Sequence, residues 1–152
     1  MSLKAYPATT LTADDATSKE ELGSIRIESD GKIYRYIQNN GCTTAVKGDV
    51  LKFMSSNNYQ ATRSATAARR NAFAGVLTSR LSKAKYGWGQ FGGFNTYLYT
   101  GTSVAAGDAL VVNSTTSRIA RTMSTTVNLA AFGRTLRADS GSTLTACFLG
   151  VS

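Results

Sequence analysis

The sequence predicts a mainly β protein: a compact β-barrel or β-sandwich, assembled from two related β half-units and preceded by an extended N-terminal arm. Three observations lead there. The composition leans toward Thr, Ser, Ala and Gly, with Tyr, Phe, Val and Ile in short runs, a mixture that suits short strands and turns better than long helices. Gly-containing turn signals return roughly every ten residues, the spacing of sandwiches and barrels. Short motifs also recur at a near-constant offset. The 152 residues fit one domain or two small fused modules, long enough to bury a core without metal or disulfide staples.

Residues 1–23 are polar, hold the single proline, Pro7, and keep no sustained helical or strand period, so they read as the arm. Ser18 stands three residues before Glu21, capping-box spacing that predicts a short helical turn over Thr17–Leu22. The β-rich body spans 24–152. Ile25 and Ile27 alternate with Arg26 and Glu28, Ser29-Asp30-Gly31 supplies a turn, and Ile33–Ile37 resumes an extended run, giving a β-hairpin. Asn39-Asn40-Gly41 marks the next turn, and Lys47-Gly48-Asp49 leads into a strand over Val50–Met54. The small-residue stretch Ala61–Ala74 reads as a short helix or an irregular connection. Further strands are expected at Phe73–Thr78, Tyr86–Phe91, Phe94–Thr100, Ala109–Val112, Arg118–Arg121, Phe132–Leu136 and Leu144–Val151.

The half-units are expected at 46–93 and 104–150. Gly48-Asp49-x-Leu51 recurs as Gly107-Asp108-x-Leu110, and Ala72-Phe73 as Ala131-Phe132, both 59 residues on, while Phe91-x-Gly93 recurs as Phe148-x-Gly150 after 57. In both Gly-Asp pairs, glycine suits a turn position with positive φ and the carboxylate can accept from the turn's N–H groups, so Gly48, Asp49, Gly107 and Asp108 read as turn formers.

The sequence offers little to catalysis. There is no His, which removes the commonest general base, the usual partner of a nucleophilic Ser or Cys, and the most frequent transition-metal ligand. Of nine acids, Asp14, Asp15, Glu20, Glu21, Glu28 and Asp30 crowd into the first thirty residues, leaving only Asp49, Asp108 and Asp139. Cys42 and Cys147 lie 105 positions apart and read as buried free thiols. No enzyme, catalytic residue, cofactor or metal is expected. No stretch approaches eighteen apolar residues and the N-terminus lacks a signal-peptide core, so no membrane partner is expected and the product is taken to be made in the cytoplasm.

Charge divides the chain. Residues 1–30 hold three bases against six acids, and residues 31–152 fourteen bases against three, an acidic arm before a basic body. Such a body prefers anionic partners: nucleic acid, an acidic protein surface, or the arm of a neighbouring copy. Within Tyr86–Phe94 the only tryptophan lies among four glycines. In a strand Tyr86, Trp88 and Gln90 share one face, and Gly87, Gly89 and Phe91 the other. The segment is either a base-stacking platform helped by Arg80, Lys83 and Lys85, or a core or subunit-interface strand, and the second is favoured because Tyr, Trp and Phe anchor protein interfaces. Arg69 and Arg70 read as a solvated surface or a contact to an acidic partner, since no phosphate loop or nucleic-acid motif accompanies them. The interface residues expected are therefore Tyr86, Trp88, Phe91, Arg69 and Arg70 on the body, and Asp14, Asp15, Glu20 and Glu21 on the arm.

The succession of Ile33–Ile37, Val46-Lys47-Gly48-Asp49-Val50-Leu51, Ala72–Val76, Tyr86–Gly93 and Ala106-Gly107-Asp108-Ala109-Leu110 resembles the small head-decoration, or cement, proteins of tailed bacteriophages over about residues 31–151. The basic stretch around Arg69-Arg70 and the Ser/Thr-rich second half depart from that pattern. The resemblance implies a β-rich body that commonly forms homo-trimers and binds the major capsid protein on the outside of an icosahedral shell, stiffening it, with terminal arms that lock onto capsid or neighbour. The location implied is the virion, and nucleic acid is not the expected partner. A single-stranded nucleic-acid-binding β-barrel and a tail or fibre adhesion module are the alternatives.

Overall fold

Ile25–Ile27 (β1) and Ile33–Asn39 (β2) pair antiparallel around a turn in which Gly31 takes φ +80° and the Glu28 N–H donates to the Lys32 carbonyl at 2.9 Å. The computed structural model describes residues 9–41, 43–54, 58–63, 73–100, 103–112, 120–122, 131–140 and 144–150. Eight further strands follow: β3 (Val50–Phe53), β4 (Gln60–Thr62), β5 (Phe73–Leu77), β6 (Tyr86–Tyr99), β7 (Ala109–Val112), β8 (Ala120–Thr122), β9 (Ala131–Thr135) and β10 (Leu144–Leu149). Every regular element among the described residues is a strand, and the fold is all-β.

Strands β2, β4, β3, β5 and β6 close a circuit. β2 runs parallel to β4, and β4–β3, β3–β5, β5–β6 and β6–β2 are antiparallel, with register shifts at Ile33/Tyr34 and Leu51/Lys52. The ring is irregular, yet its inside is a filled core of Ile37, Leu51, Ala61, Ala74, Leu77 and Leu81, each at most 1% exposed. Burying one such Leu or Ile side chain stabilises by about 1.5–3 kcal/mol relative to exposure. The far half of β6 continues into a second sheet, β6-β10-β9-β7-β8. Its core joins Leu98, Leu110, Val112, Phe132, Cys147 and Leu149 to Val50 and Val76 of the first ring.

The same hydrogen bonds recur 58–59 residues apart. Gly48 N–H donates to Leu77 O and Leu77 N–H to Asp49 O, as Gly107 donates to Thr135 and Thr135 to Asp108. Ala45 and Leu81 form a mutual bridge, as do Val104 and Asp139. The Asp49 and Asp108 carboxylates accept from the N–H three residues earlier, Val46 at 2.9 Å and Ala105 at 2.8 Å, and Gly48 and Gly107 take φ +88° and +89°. Phe73 and Phe132, 59 apart, stack face to face across the junction at 4.2 Å.

Three local expectations change. Thr17–Leu22 is not helical: Ser18 Oγ donates to the Glu20 carbonyl two residues on, so the hydroxyl serves a bend rather than a cap. The two strands expected at Tyr86–Phe91 and Phe94–Thr100 are one, because β6 runs through Gly92-Gly93 by pairing Gly92 with Ile33 and Gly93 with Leu149. Within the stretch assigned to a helix or loop, Ala61 and Thr62 complete β4, whereas residues 64–72, including Arg69 and Arg70, lie outside the described residues. Of the strand expected over Arg118–Arg121, Ala120 and Arg121 lie in β8, and residues 118–119 lie outside the described residues.

Candidate interaction surface

Residues 9–23 lie on the body of their own chain. Tyr34, Tyr36 and Trp88 project together from β2 and β6, and Leu11, Ala13 and Leu22 pack on them. Trp88 is 2% exposed, meets Tyr36 edge-on at 5.1 Å, and donates its indole N–H to Thr9 Oγ1 at 2.9 Å. Tyr86 stacks on Tyr36 with ring centroids 6.5 Å apart. Asp14 accepts from the Ser82 N–H and hydroxyl at 2.8 and 2.7 Å, and Asp15 exchanges both backbone hydrogen bonds with Tyr86. Glu20 is half-buried and Glu21 exposed. A Cβ on Gly87 would lie 2.5 Å from the Ala13 carbonyl oxygen, so glycine there lets the segment sit down.

This arrangement separates the expected interface residues. Trp88 is covered rather than presented, and Phe91, half-buried, points to the opposite face of β6. Burial of Tyr34 and Tyr36 against their apolar cover pushes both phenols above the usual tyrosine range.

A different surface is open. Phe148 on β10 lies directly between Phe94 on β6 and Arg134 on β9, and the two rings are 55% and 44% exposed. Leu144, four residues before Phe148, and Leu136, two after Arg134, extend the row and are about half exposed. Beside Leu144 a depression of about 520 Å³ is lined by Thr96, Arg137 and Ser140 among others. At the Leu144 end Lys47 Nζ stands 3.4 Å above the Tyr97 ring, and a hydrogen bond with Thr96 together with that ammonium holds the phenol below its usual pKa. Sequence alternation alone cannot find such a row: Leu144, Ala146 and Phe148 share one face and Thr145, Cys147 and Leu149 the other, and both contain bulky apolar groups. Among the described residues no three metal-ligating side chains cluster.

Searches against protein-family models and against curated proteins find no match. Among solved structures, the chain matches the head fiber gp8.5 N base of bacteriophage phi29, with a TM-score of 0.53 over 77% of this chain and 94% of that one, at 11% identity. The two share a fold. With so few identical residues, the likeness to the fibre base speaks to strand arrangement and not to any side chain.

Proposed function

We propose that this chain is a structural component of a tailed-bacteriophage virion that attaches as an oligomer to the outside of the icosahedral capsid and stabilises it. The observation that carries this is the fold shared with the base of a phage head fibre. Three features support it. Large apolar side chains in one cross-strand row, flanked by Arg134, form the kind of exposed patch that marks association surfaces. The sequence contains no His, and the candidate stacking residue Trp88 is buried, which leaves little for catalysis or for a base-binding platform. Attachment through small patches also suits a protein used in many copies, because weak contacts multiply when they act together. The fibre-base likeness favours, as a second form of the same reading, a base that carries a further module.

The test is co-sedimentation with preassembled capsids that lack the protein, beside a single-stranded DNA gel shift at the same salt. Binding to capsids that Phe94→Ser/Phe148→Ser weakens at least about tenfold, with the fold intact, is the expected result. Absence of capsid binding, or tighter binding to single-stranded DNA, overturns the reading.

A further inference from the structure

Among the described residues, no carboxylate answers the guanidinium of Arg35 on β2. Arg35 is two residues from Ile37 on the same face of β2, so its side chain enters the five-strand ring at the end away from Ala13. Strand direction brings its neighbours there. β3 and β6 run the same way and deliver Phe53 and Phe91, while β2 and β4 start at this end, with Tyr59 just ahead of β4. The guanidinium carbon stands 4.4 Å from the Phe91 ring centre, 5.7 Å from Tyr59 and 5.9 Å from Phe53. Tyr59 is held at φ +47°, and its ring occupies the space a Cβ on Gly23 would need, which fixes this wall of the mouth.

Ring faces favour a cation but leave its hydrogen-bond donors unused. Arg35 Nε is buried without a hydrogen-bond partner, and among the described residues no carboxylate pairs with this guanidinium: the ion pairs are Arg26–Glu28, Lys32–Asp30 and Arg63–Asp49. Arg35 as a whole is only partly buried, so the rest of the group can be reached from outside. A planar fork of donors in partly desolvated surroundings matches a carboxylate in shape and charge.

We propose that this mouth binds a carboxylate side chain, Asp or Glu, of a protein partner. A protein is favoured over nucleic acid by the geometry of the rings. Phe91 is already covered by the guanidinium, and Phe53 and Tyr59 meet edge to face at 78°, so no open parallel slot is left for a base, and a single cation does not make a backbone track. The proposal rests on the assembly role only in taking that partner to be a virion component, and the chemistry is tested on the isolated full-length chain.

The experiment follows the Arg35 Nε–H NMR signal, assigned by its loss in Arg35→Lys, during titration with a blocked tripeptide containing one glutamate. The glutamine tripeptide and oligothymidylate serve as comparisons. Saturable movement of the signal with the glutamate peptide alone is expected. Arg35→Lys, followed by backbone amides of the mouth, should bind at least about tenfold more weakly, because a point charge does not reproduce the fork. Phe91→Leu, which keeps apolar bulk and removes the ring face, should also weaken binding while the amide spectrum stays folded. No movement with the glutamate peptide, equal movement with the glutamine peptide, or movement with oligothymidylate alone overturns the proposal. A failure of capsid binding with this titration intact would sink the assembly role and leave the carboxylate site standing.

Discussion

Trp88 owes its burial to two parts of the chain: Tyr36 of β2 meets its ring in an edge-to-face contact and Thr9, seventy-nine residues earlier, accepts a hydrogen bond from its indole N–H. Trp88→Ala removes both and leaves a cavity under Leu11 and Leu22, so stability should fall by about 3–5 kcal/mol, read as a lowered denaturation midpoint. Thr9→Ala removes only the acceptor and should cost about 1 kcal/mol. Cys147 is a second buried group with a measurable consequence. It is fully enclosed, and burial pushes its thiol up to about 12. Since the folded value exceeds the unfolded one, this group's contribution is complete below about pH 9 and is lost as pH rises toward 12, where only the unfolded chain has released the proton. In a Cys42→Ser background, denaturation midpoints should therefore fall more steeply between pH 9 and 11 than those of Cys42→Ser/Cys147→Ala, and a thiol reagent should label the folded protein only as fast as it opens. Equal pH slopes would contradict the burial argument.

At the scale of elements, most strands were readable because alternation and Gly-containing turns are local. What alternation does not encode is which of two apolar faces another element will cover. Trp88 and Phe148 stand on equally apolar strands, yet residues 9–23 cover one and leave the other open. β4 was missed since three residues, Gln60–Thr62, are too few for a period to emerge, and its pairing with β2 is made across distant sequence. The break expected at Gly92-Gly93 failed for a related reason: both residues hold cross-strand partners in β2 and β10, and tertiary pairing overrode glycine's weak strand preference. The two Gly-Asp turns share a left-handed φ at glycine and differ in surroundings. A Cβ at Gly48 would run into the Tyr97 carbonyl oxygen and Leu144, whereas one at Gly107 meets nothing within 4 Å. Gly107→Ala should cost only the left-handed backbone penalty, about 1–2 kcal/mol. Gly48→Ala adds a clash with backbone that cannot swing away, and should cost roughly 1–3 kcal/mol more. Chemical denaturation of the two variants side by side measures the difference, and equal losses would mean the Tyr97 strand yields easily.

Across the whole molecule the acidic arm and basic body meet within one chain before any partner is added. Asp14 is held by Ser82, and the apolar residues of 9–22 seal the Tyr34–Tyr36–Trp88 cluster, so the segment serves the fold as well as any assembly. The ring does not need it to close, because its five pairings are made by β2–β6 alone. Deleting residues 1–22 removes two bases and four acids, raising the formal charge from +8 to +10, and strips the cover from the aromatic cluster. The shortened chain should keep its β circular dichroism but lose about 2–4 kcal/mol of stability, the burial of one to two large apolar side chains. Trp88 emission should move to the red as the indole meets water. Under the proposed assembly role, retention on capsids should also weaken, most at low salt and less as salt is raised, since an arm that contributes by charge acts through contacts worth about 0–1 kcal/mol each and screened within a Debye length. An unchanged midpoint and emission would show that the segment does not lie on its own body in solution. A chain that no longer folds at all would show that the ring depends on its cover and that strand pairing alone does not close it.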